Sequence, residues 1–355
     1  MTEVIRYNQR QKLGEMTMNS NELNSIAQAM VAPNKGILAA DESTPTIGKR
    51  FKDINTESTE TNRQIYRNML FTSAGISDYI SGVILFDETI RQSSNTGIAF
   101  PEYLNSLGII PGIKVDRGAK ELAGCAGEKV TEGLDGLRER LSEYYSLGAR
   151  FAKWRAVITI ASRIPSETCI GVNAHALARY AALCQESAMV PIVEPEVLMD
   201  GEHSLETCYD ITAKVLDCVF SELVNQKVML NGIILKPNMI ISGSDAANRA
   251  DVAMVASATV DCLTAHVPKD VPGLAFLSGG QTSEEATAHL SAMNELGPHP
   301  WQLSFSYGRA LQACPLKAWA GENENIESAQ AELLKRAKLN GLARTGSYNP
   351  QMESA

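Results

Sequence analysis

The sequence predicts a single-domain α/β protein folded as a closed (β/α)8 (TIM) barrel. Eight short apolar runs, each typical of a strand buried on both faces, recur along the 355 residues. Helical patterns lie between most of them, and strands that alternate with helices indicate a parallel sheet. An open doubly wound sheet is the alternative, but no Gly-x-Gly-x-x-Gly motif follows the first predicted strand.

The predicted strands are short and mostly aliphatic. In chain order they are Gly36–Ala40, Gly82–Phe86, Ile109–Val115, Arg150–Ile158, Val190–Val193, Gly232–Lys236, Gly273–Ser278 and Gln302–Ser306. Since no linker, repeat or low-complexity block divides the chain, residues 1–355 are predicted to form one domain. Residues 1–20 are expected to form an N-terminal arm, and the polar residues 341–355 a loose tail.

The predicted helices carry apolar residues with a helical period. Thr282 and Glu285 have the spacing of a capping box that would open a further helix. The apolar faces comprise Leu23, Ile26, Ala27 and Met30, then Leu134, Leu137, Leu141 and Tyr144, and later Ile211, Val215, Phe220 and Leu223.

The charge and composition exclude several classes of function. A net charge of −9 argues against nucleic acid or an anionic membrane as the main partner. No apolar run approaches the roughly 20 residues that span a bilayer. The first residues lack the apolar core of a signal peptide, and seven cysteines without a Cys-x-x-Cys pair indicate reduced thiols. These features favour a cytoplasmic protein.

The five histidines show no metal-ligand spacing, so we expect neither a metal nor another cofactor. They are His175, His203, His266, His289 and His299.

Lys236 is the most informative residue. It closes a buried strand, and Pro237 follows it. A lysine amine held in a partly apolar site loses proton affinity and becomes a nucleophile toward carbonyls. The alternative for Lys236 alone is a side chain that reaches solvent.

Polar residues also lie within or just after six of the other predicted strands, and the C-terminal strand ends of a barrel form its active-site mouth. Each group has a structural alternative: a helix cap, an edge strand, a turn or a chain reversal. Together these alternatives are improbable, because both faces of the sheet would be covered. The groups are Asp41-Glu42-Ser43, Lys114 with Asp116, Lys153 with Arg155, Glu194 with Glu196, Ser278-Gly279-Gly280-Gln281 and Ser306-Tyr307-Gly308-Arg309.

These groups suit a doubly anionic carbonyl substrate. Asp41, Glu194 and Glu196 supply counter-charge and proton-transfer groups. A phosphate cradle after strands seven and eight would use Ser278, Gly279, Gly280, Gly308 and Arg309. Lys114 and Arg155 would hold a second anionic group. Two anion sites beside a lysine nucleophile indicate a bisphosphorylated substrate.

Seven ordered segments resemble those of class I fructose-bisphosphate aldolases, and the resemblance runs from about Asn21 to about Tyr348. The segments are ILAADES at 37–43, GIKVD at 112–116, FAKWR at 151–155, PIVEPE at 191–196, LKPNM at 235–239, FLSGGQ at 276–281 and FSYGRALQ at 305–312.

The resemblance implies specific roles. Lys236 would form a Schiff base with fructose 1,6-bisphosphate, and Glu194 would shuttle protons. Asp41 would assist deprotonation of the C4 hydroxyl, and Lys153 would stabilise developing charge. It also implies a homotetramer. Lys114 and Arg155 match cations associated with one phosphate of the substrate, and Glu196 lies beside them in the sequence motifs. The positions that match contacts of the other phosphate are Arg50, Ser278, Gly279, Gly280, Ser306, Gly308 and Arg309.

Two alternatives and one departure from the family remain. Another Schiff-base barrel enzyme, such as a transaldolase, needs only one phosphate site, and a non-catalytic binding protein needs none of the chemical groups. Many relatives end in a tyrosine that folds over the mouth, whereas this sequence stops at Ala355. Tyr348 is the candidate substitute.

Overall fold

The computed structural model describes residues 20–354. Its eight-stranded parallel sheet closes into a barrel. The barrel strands are β1 Gly36–Ala39, β2 Ile80–Leu85, β3 Ile110–Lys114, β6 Phe151–Ile158, β7 Val190–Val197, β8 Ile234–Leu235, β9 Gly273–Phe276 and β10 Gln302–Tyr307. Around the barrel they pair in the order β1-β10-β9-β8-β7-β6-β3-β2. All eight predicted strands and the closed barrel are thereby confirmed.

One helix, at residues 20–30, precedes the first strand, and the other helices follow the strands and cover the outside of the barrel. They are α1 (residues 20–30), α2 Thr44–Lys52, α3 Glu60–Phe71, α4 Asp87–Ile90, α5 Phe100–Ser106, α6 Leu137–Ser146, α7 Glu167–Glu186, α8 Leu205–Asn225, α9 Val252–His266, α10 Ser283–Glu295, α11 Arg309–Trp319 and α12 Ile326–Ala343. Short 3-10 turns lie at Ile76–Asp78, Leu230–Gly232, Asn323–Asn325 and Pro350–Ser354. The capping box of Thr282 and Glu285 is present at the start of α10.

The core has two parts. A large cluster fills the space between the sheet and the outer helices. A smaller cluster fills the barrel interior and includes Phe151 and Ile192. Leu23, Ala27 and Met30 of α1 belong to this inner cluster, so α1 packs against the interior of the barrel. The charged ends of the strands therefore meet at the opposite, C-terminal mouth.

Two features of the fold were not predicted. An antiparallel hairpin, β4 Ala119–Glu121 and β5 Lys129–Thr131, extends between β3 and α6. In addition, β7 continues to Val197, four residues beyond the predicted end at Val193. Glu194, Pro195 and Glu196 suggested a strand end, but all three pair in parallel register with β6.

The prediction of a loose tail over residues 341–355 is wrong for its first part. Helix α12 continues to Ala343, and Arg344 and Tyr348 are buried. The Arg344 guanidinium donates to the carbonyl oxygens of Val31 and Leu303 at 3.1 and 3.0 Å. A polar side chain can be buried when its donors are satisfied, and the sequence does not reveal these acceptors. The predicted N-terminal arm lies almost wholly outside the described residues.

Helices that could cross a membrane are absent from residues 20–354, because none is both long and apolar enough.

Candidate active site

Four buried side chains form a row of alternating charge inside the barrel: Asp41 just after β1, Lys153 in β6, Glu194 in β7 and Lys236 just after β8. The Lys236 Nζ atom lies 3.2 Å from Glu194 Oε1, and Lys153 Nζ lies 3.1 Å from Glu194 Oε2. Lys153 Nζ also donates a 3.1 Å hydrogen bond to Asp41 Oδ2. No side chain of the four is more than 10% exposed. Glu194 therefore bridges the two lysines in a dry environment, where charges interact strongly.

The strand register explains why these groups meet. Residues two apart in a strand point to the same side, so Lys153 and Arg155 of β6 face the mouth together, as do Glu194 and Glu196 of β7. In the β6–β7 ladder, Arg155 pairs with Glu194. Lys236 directly follows β8, the next strand around the barrel, and its backbone N–H donates to the carbonyl oxygen of Val193. A parallel sheet thus places all four charges at one edge.

The two lysines of the row have opposite pKa shifts. Burial lowers the pKa of Lys236, and although Glu194 opposes this effect, the neighbouring Lys153 adds to it, so the pKa lies below its usual 10.5. Burial alone would also lower the pKa of Lys153, but Asp41 and Glu194 outweigh burial and raise that pKa. Lys153 therefore stays cationic, while the neutral amine of Lys236 is more accessible than in an exposed lysine.

The two carboxylates of the row are held in the ionised form. Burial alone would raise the pKa of Asp41, but Lys153 and Lys236 lower it to about 2. Glu194 follows the same balance: burial raises its pKa, the two lysines lower it more, and the pKa ends below the usual 4.5. Both groups can therefore accept a proton at neutral pH.

A cleft of about 380 Å³ opens above this row and brings together nearly all the predicted site residues. Its lining includes six cationic and five acidic side chains, although the chain as a whole carries a net charge of −9. Thirteen of the fourteen predicted site residues line it: Asp41, Arg50, Lys114, Lys153, Arg155, Glu194, Glu196, Lys236, Ser278, Gly279, Ser306, Gly308 and Arg309.

One end of the cleft offers unengaged donors to an anion. Arg309 begins α11 with Gly308 as its N-cap, so the positive end of the helix dipole faces the same place. Among the described residues, no carboxylate lies within ion-pair distance of Arg309. The Ser306 hydroxyl is buried and makes no hydrogen bond within that part of the chain. A buried hydroxyl that makes no hydrogen bond destabilises the protein, unless a bound ligand supplies the missing partner.

Three predicted phosphate-binding cations are paired with carboxylates. Lys114 Nζ lies 2.7 Å from Asp116 Oδ1, Arg155 contacts Glu196, and Arg50 contacts Glu42. Asp116 and Glu42 belong to the sequence motifs but were not among the predicted site residues. These pairs hold the long cationic side chains in defined positions around the cleft.

Glu42 connects the cleft to the outer helices. Its Oε1 atom accepts a 2.9 Å hydrogen bond from Gln312, and its Oε2 atom lies 2.7 Å from Arg67 Nη2. Arg67 lies on α3 and carried no signal in the sequence, because nothing in its neighbourhood separates it from an exposed helical arginine. Glu42 could have been noticed as the neighbour of Asp41 at the end of β1.

Gly280 and Tyr348 lie outside this cleft. Gly280 lines a smaller adjoining cleft, where its N–H donates to Met199 Sδ. Tyr348 is buried, and its hydroxyl donates to Glu353 Oε1 at 2.9 Å. In this conformation Tyr348 is engaged within the C-terminal segment rather than at the mouth of the barrel.

Metal-binding groups of three or more His, Cys, Asp or Glu side chains are not found between residues 20 and 354. The expectation of a metal-independent reaction stays a prediction.

The fold and the site define a class of protein: a (β/α)8-barrel enzyme with a buried lysine suited to Schiff-base chemistry. Comparison with known proteins narrows this class. The family model for class-I fructose-bisphosphate aldolase matches residues 22–355. A probable class 1 fructose-bisphosphate aldolase of Xanthomonas axonopodis is 58% identical over 93% of this chain and 99% of its own length.

Two further relatives agree. A cytosolic fructose-bisphosphate aldolase of Arabidopsis thaliana is 52% identical, over 92% of this chain and 84% of its own length. The solved fructose-bisphosphate aldolase of Plasmodium falciparum superposes with a TM-score of 0.92 at 49% identity, covering 93% of this chain and 96% of that one. The chain belongs to the class-I fructose-bisphosphate aldolase family, and it is a lyase.

Proposed function

We propose that this protein catalyses the reversible aldol cleavage of fructose 1,6-bisphosphate to dihydroxyacetone phosphate and glyceraldehyde 3-phosphate, in glycolysis and gluconeogenesis. The observation that carries the proposal is the Lys236 amine, whose pKa is lowered and which lies 3.2 Å from Glu194 inside a cleft flanked by cations. The relatives' names support the same reaction.

The first half of the reaction joins sugar and enzyme. The neutral Lys236 amine attacks the C2 carbonyl of the open-chain ketose to form a carbinolamine. Glu194, ionised and in contact with the amine, takes up the proton that the nitrogen loses and passes it to the carbonyl oxygen, which becomes the hydroxyl of the carbinolamine. A second proton, which Glu194 takes up from solvent, then allows that hydroxyl to leave as water. The product is a protonated Schiff base.

The second half breaks the C3–C4 bond. Asp41 accepts the proton of the C4 hydroxyl, and the bond's electron pair moves into the iminium to give an enamine. Lys153 stays cationic between Asp41 and Glu194 and stabilises the charge that develops beside it. Glyceraldehyde 3-phosphate leaves, and protonation at C3 followed by hydrolysis releases dihydroxyacetone phosphate. The iminium is the electron sink, so a strong chelator should leave activity unchanged.

The two phosphates would occupy opposite ends of the cleft. Arg309, the Ser306 hydroxyl and the backbone N–H groups near Gly279 and Gly308 suit one phosphate. Lys114 and Arg155 suit the other, and the paired carboxylates Asp116 and Glu196 hold these cations in place. Arg50 stands beside Glu42 and would add a contact to the first phosphate.

Borohydride trapping tests the proposal directly. The protein is incubated with dihydroxyacetone phosphate, reduced, digested and mapped by mass spectrometry. A reduced three-carbon adduct on Lys236 is expected, whereas the surface lysine Lys214 of the same sample serves as an internal control. No adduct in folded protein would reject the Schiff base. In a parallel assay without borohydride, transfer of a dihydroxyacetone unit from a ketose phosphate to erythrose 4-phosphate would favour a transaldolase.

We also propose a homotetramer in the cytoplasm. The support is the family resemblance, the cytosolic relative of Arabidopsis thaliana and the cysteines, which are free among the described residues. Light scattering on the purified protein would test the assembly, and a monomer would contradict it.

A further inference from the structure

A smaller cleft adjoins the active site, and a methionine lines it. This cleft has a volume of about 230 Å³ and shares Arg155, Gly279 and Arg309 with the lining of the larger cleft, so the two spaces adjoin at these residues. Met199, in the loop that follows β7, lines only the smaller one. Its side chain contacts Gly280, the neighbour of the shared residue Gly279, and therefore lies next to the predicted phosphate cradle.

The Met199 sulfur accepts the hydrogen bond of one backbone N–H group of that cradle. The Gly280 N–H donates to Met199 Sδ across 3.0 Å. The sulfur also lies where a Cβ atom at position 280 would be only 2.6 Å away, so it covers this residue closely. A thioether is a weak acceptor, whereas an anionic phosphate oxygen forms a charge-assisted hydrogen bond of roughly twice the strength of a neutral one. A phosphate oxygen would thus replace the sulfur favourably.

The backbone around Met199 is fixed, so the side chain rather than the loop has to move. Three backbone hydrogen bonds of 2.7–2.9 Å tie residues 243–245 to Met199, Gly201 and His203. A Cβ atom at Gly243 would lie 2.1 Å from the Gly201 carbonyl oxygen, which means that these loops approach too closely for any side chain there. Methionine, in contrast, is unbranched and has three rotatable side-chain bonds.

One part of the smaller cleft offers the displaced thioether apolar contacts. Leu198, Ile241 and Leu277 contribute to its lining, and much of the remaining lining is polar or charged. A methionine side chain that leaves the Gly280 N–H can turn into this space and keep apolar contacts.

We propose that Met199 gates the phosphate site: its thioether holds the Gly280 N–H in the free protein and turns into the smaller cleft when a phosphate oxygen takes that donor. The inference rests on the proposed function, because it assigns Gly280 to the phosphate of the substrate. Phosphate binds only the open arrangement, in which Met199 has left the Gly280 N–H. Its apparent Kd therefore equals the intrinsic Kd divided by the fraction of protein in that open arrangement. Met199 is therefore a gating residue that weakens phosphate binding.

Inorganic phosphate is the probe for the test, and its Kd is measured by calorimetry on the full-length protein. Met199→Leu conserves most of the volume but removes the acceptor, and Met199→Ala removes both. We expect both variants to bind phosphate about two- to tenfold more tightly, as for the loss of one competing hydrogen bond, and the KM for fructose 1,6-bisphosphate to fall with it. Met254→Leu, on an exposed part of α9, is the matched control and should change neither constant.

A second measurement uses the wild-type protein and needs no turnover. With methionine methyl groups labelled with carbon-13, phosphate should shift the Met199 signal, assigned through Met199→Leu, and leave the Met254 signal unchanged. An unshifted Met199 methyl, or a phosphate Kd that is equal or weaker in both variants, would overturn the gate. If the protein fails to cleave fructose 1,6-bisphosphate but the phosphate affinities change as expected, the proposed function fails and the gate stands.

Discussion

The carboxylate of Glu194, in β7, and the amine of Lys236, just after the neighbouring strand β8, face each other 3.2 Å apart. Burial disfavours the charged form of both groups, yet each group favours the charge of the other. The second lysine, Lys153, shifts this balance, because it contacts Glu194 from the other side and lowers the pKa of Lys236. Cleavage is expected to depend on all three groups.

Replacing Lys236 with methionine should abolish cleavage of fructose 1,6-bisphosphate and leave the fold intact. Methionine fills a similar volume, and Glu194 keeps its contact with Lys153. We expect a loss in kcat on the order of 10⁵-fold, as for other enzymes that lose a covalent nucleophile. A coupled assay of triose phosphate release measures it, with circular dichroism as the test of folding. Turnover near the wild-type rate in folded Lys236→Met would contradict the mechanism.

Glu194→Gln should lower kcat by about 10²- to 10⁴-fold, because it removes a proton-transfer group. It also removes the negative charge that raises the pKa of Lys236, so trapping by dihydroxyacetone phosphate and borohydride should reach its plateau at a lower pH than in the wild type. Glu186→Gln, at an exposed carboxylate paired with Arg138, is the matched control. A normal rate and an unchanged pH profile in Glu194→Gln would show that another group transfers the proton.

The stability of the protein should fall in acid partly through Asp41. Its pKa is lowered from 3.8 to about 2 in the folded state, so the unfolded state binds a proton more readily. Asp41 therefore stabilises the fold above pH 4, by about 2 kcal/mol, and this contribution is lost as the pH falls from about 4 to about 2. In Asp41→Asn, the urea midpoint should fall less steeply over that range. If the urea midpoints of the wild type and of Asp41→Asn fall in parallel as the pH is lowered, Asp41 does not make this contribution.

Arg344→Met should destabilise the fold by about 3 kcal/mol or more, because it leaves several buried carbonyl oxygens without a donor. The Arg344 guanidinium contacts the carbonyl oxygens of Val31, Ala32, Lys35 and Leu303 and the side chain of Gln302. Arg138→Met provides the comparison, since its ion pair with Glu186 is exposed and should leave the unfolding midpoint unchanged. Equal midpoints for both variants would show that Arg344 is dispensable.

The strand ends show how far residue type and order can locate a site. Lys236, Lys153 and Glu194 stood out because a charge within or just after an apolar strand needs a reason, and that signal is local in sequence. The same signal located Asp41 and Arg309. It failed for Arg67, since a helical arginine has the same pattern whether it faces solvent or a buried carboxylate such as Glu42.

By itself, the sequence determined the barrel and predicted a lysine nucleophile and two anion clusters, since strand periodicity and the cost of burying charge act over a few residues. Only the tertiary structure decided which charges pair: Glu194 between two lysines, Lys114 with Asp116, and Arg155 with Glu196. It also decided that Met199 covers Gly280 and that Arg344 is buried. Such contacts join residues far apart in the chain, and the packing of distant elements rather than local propensity sets their distances.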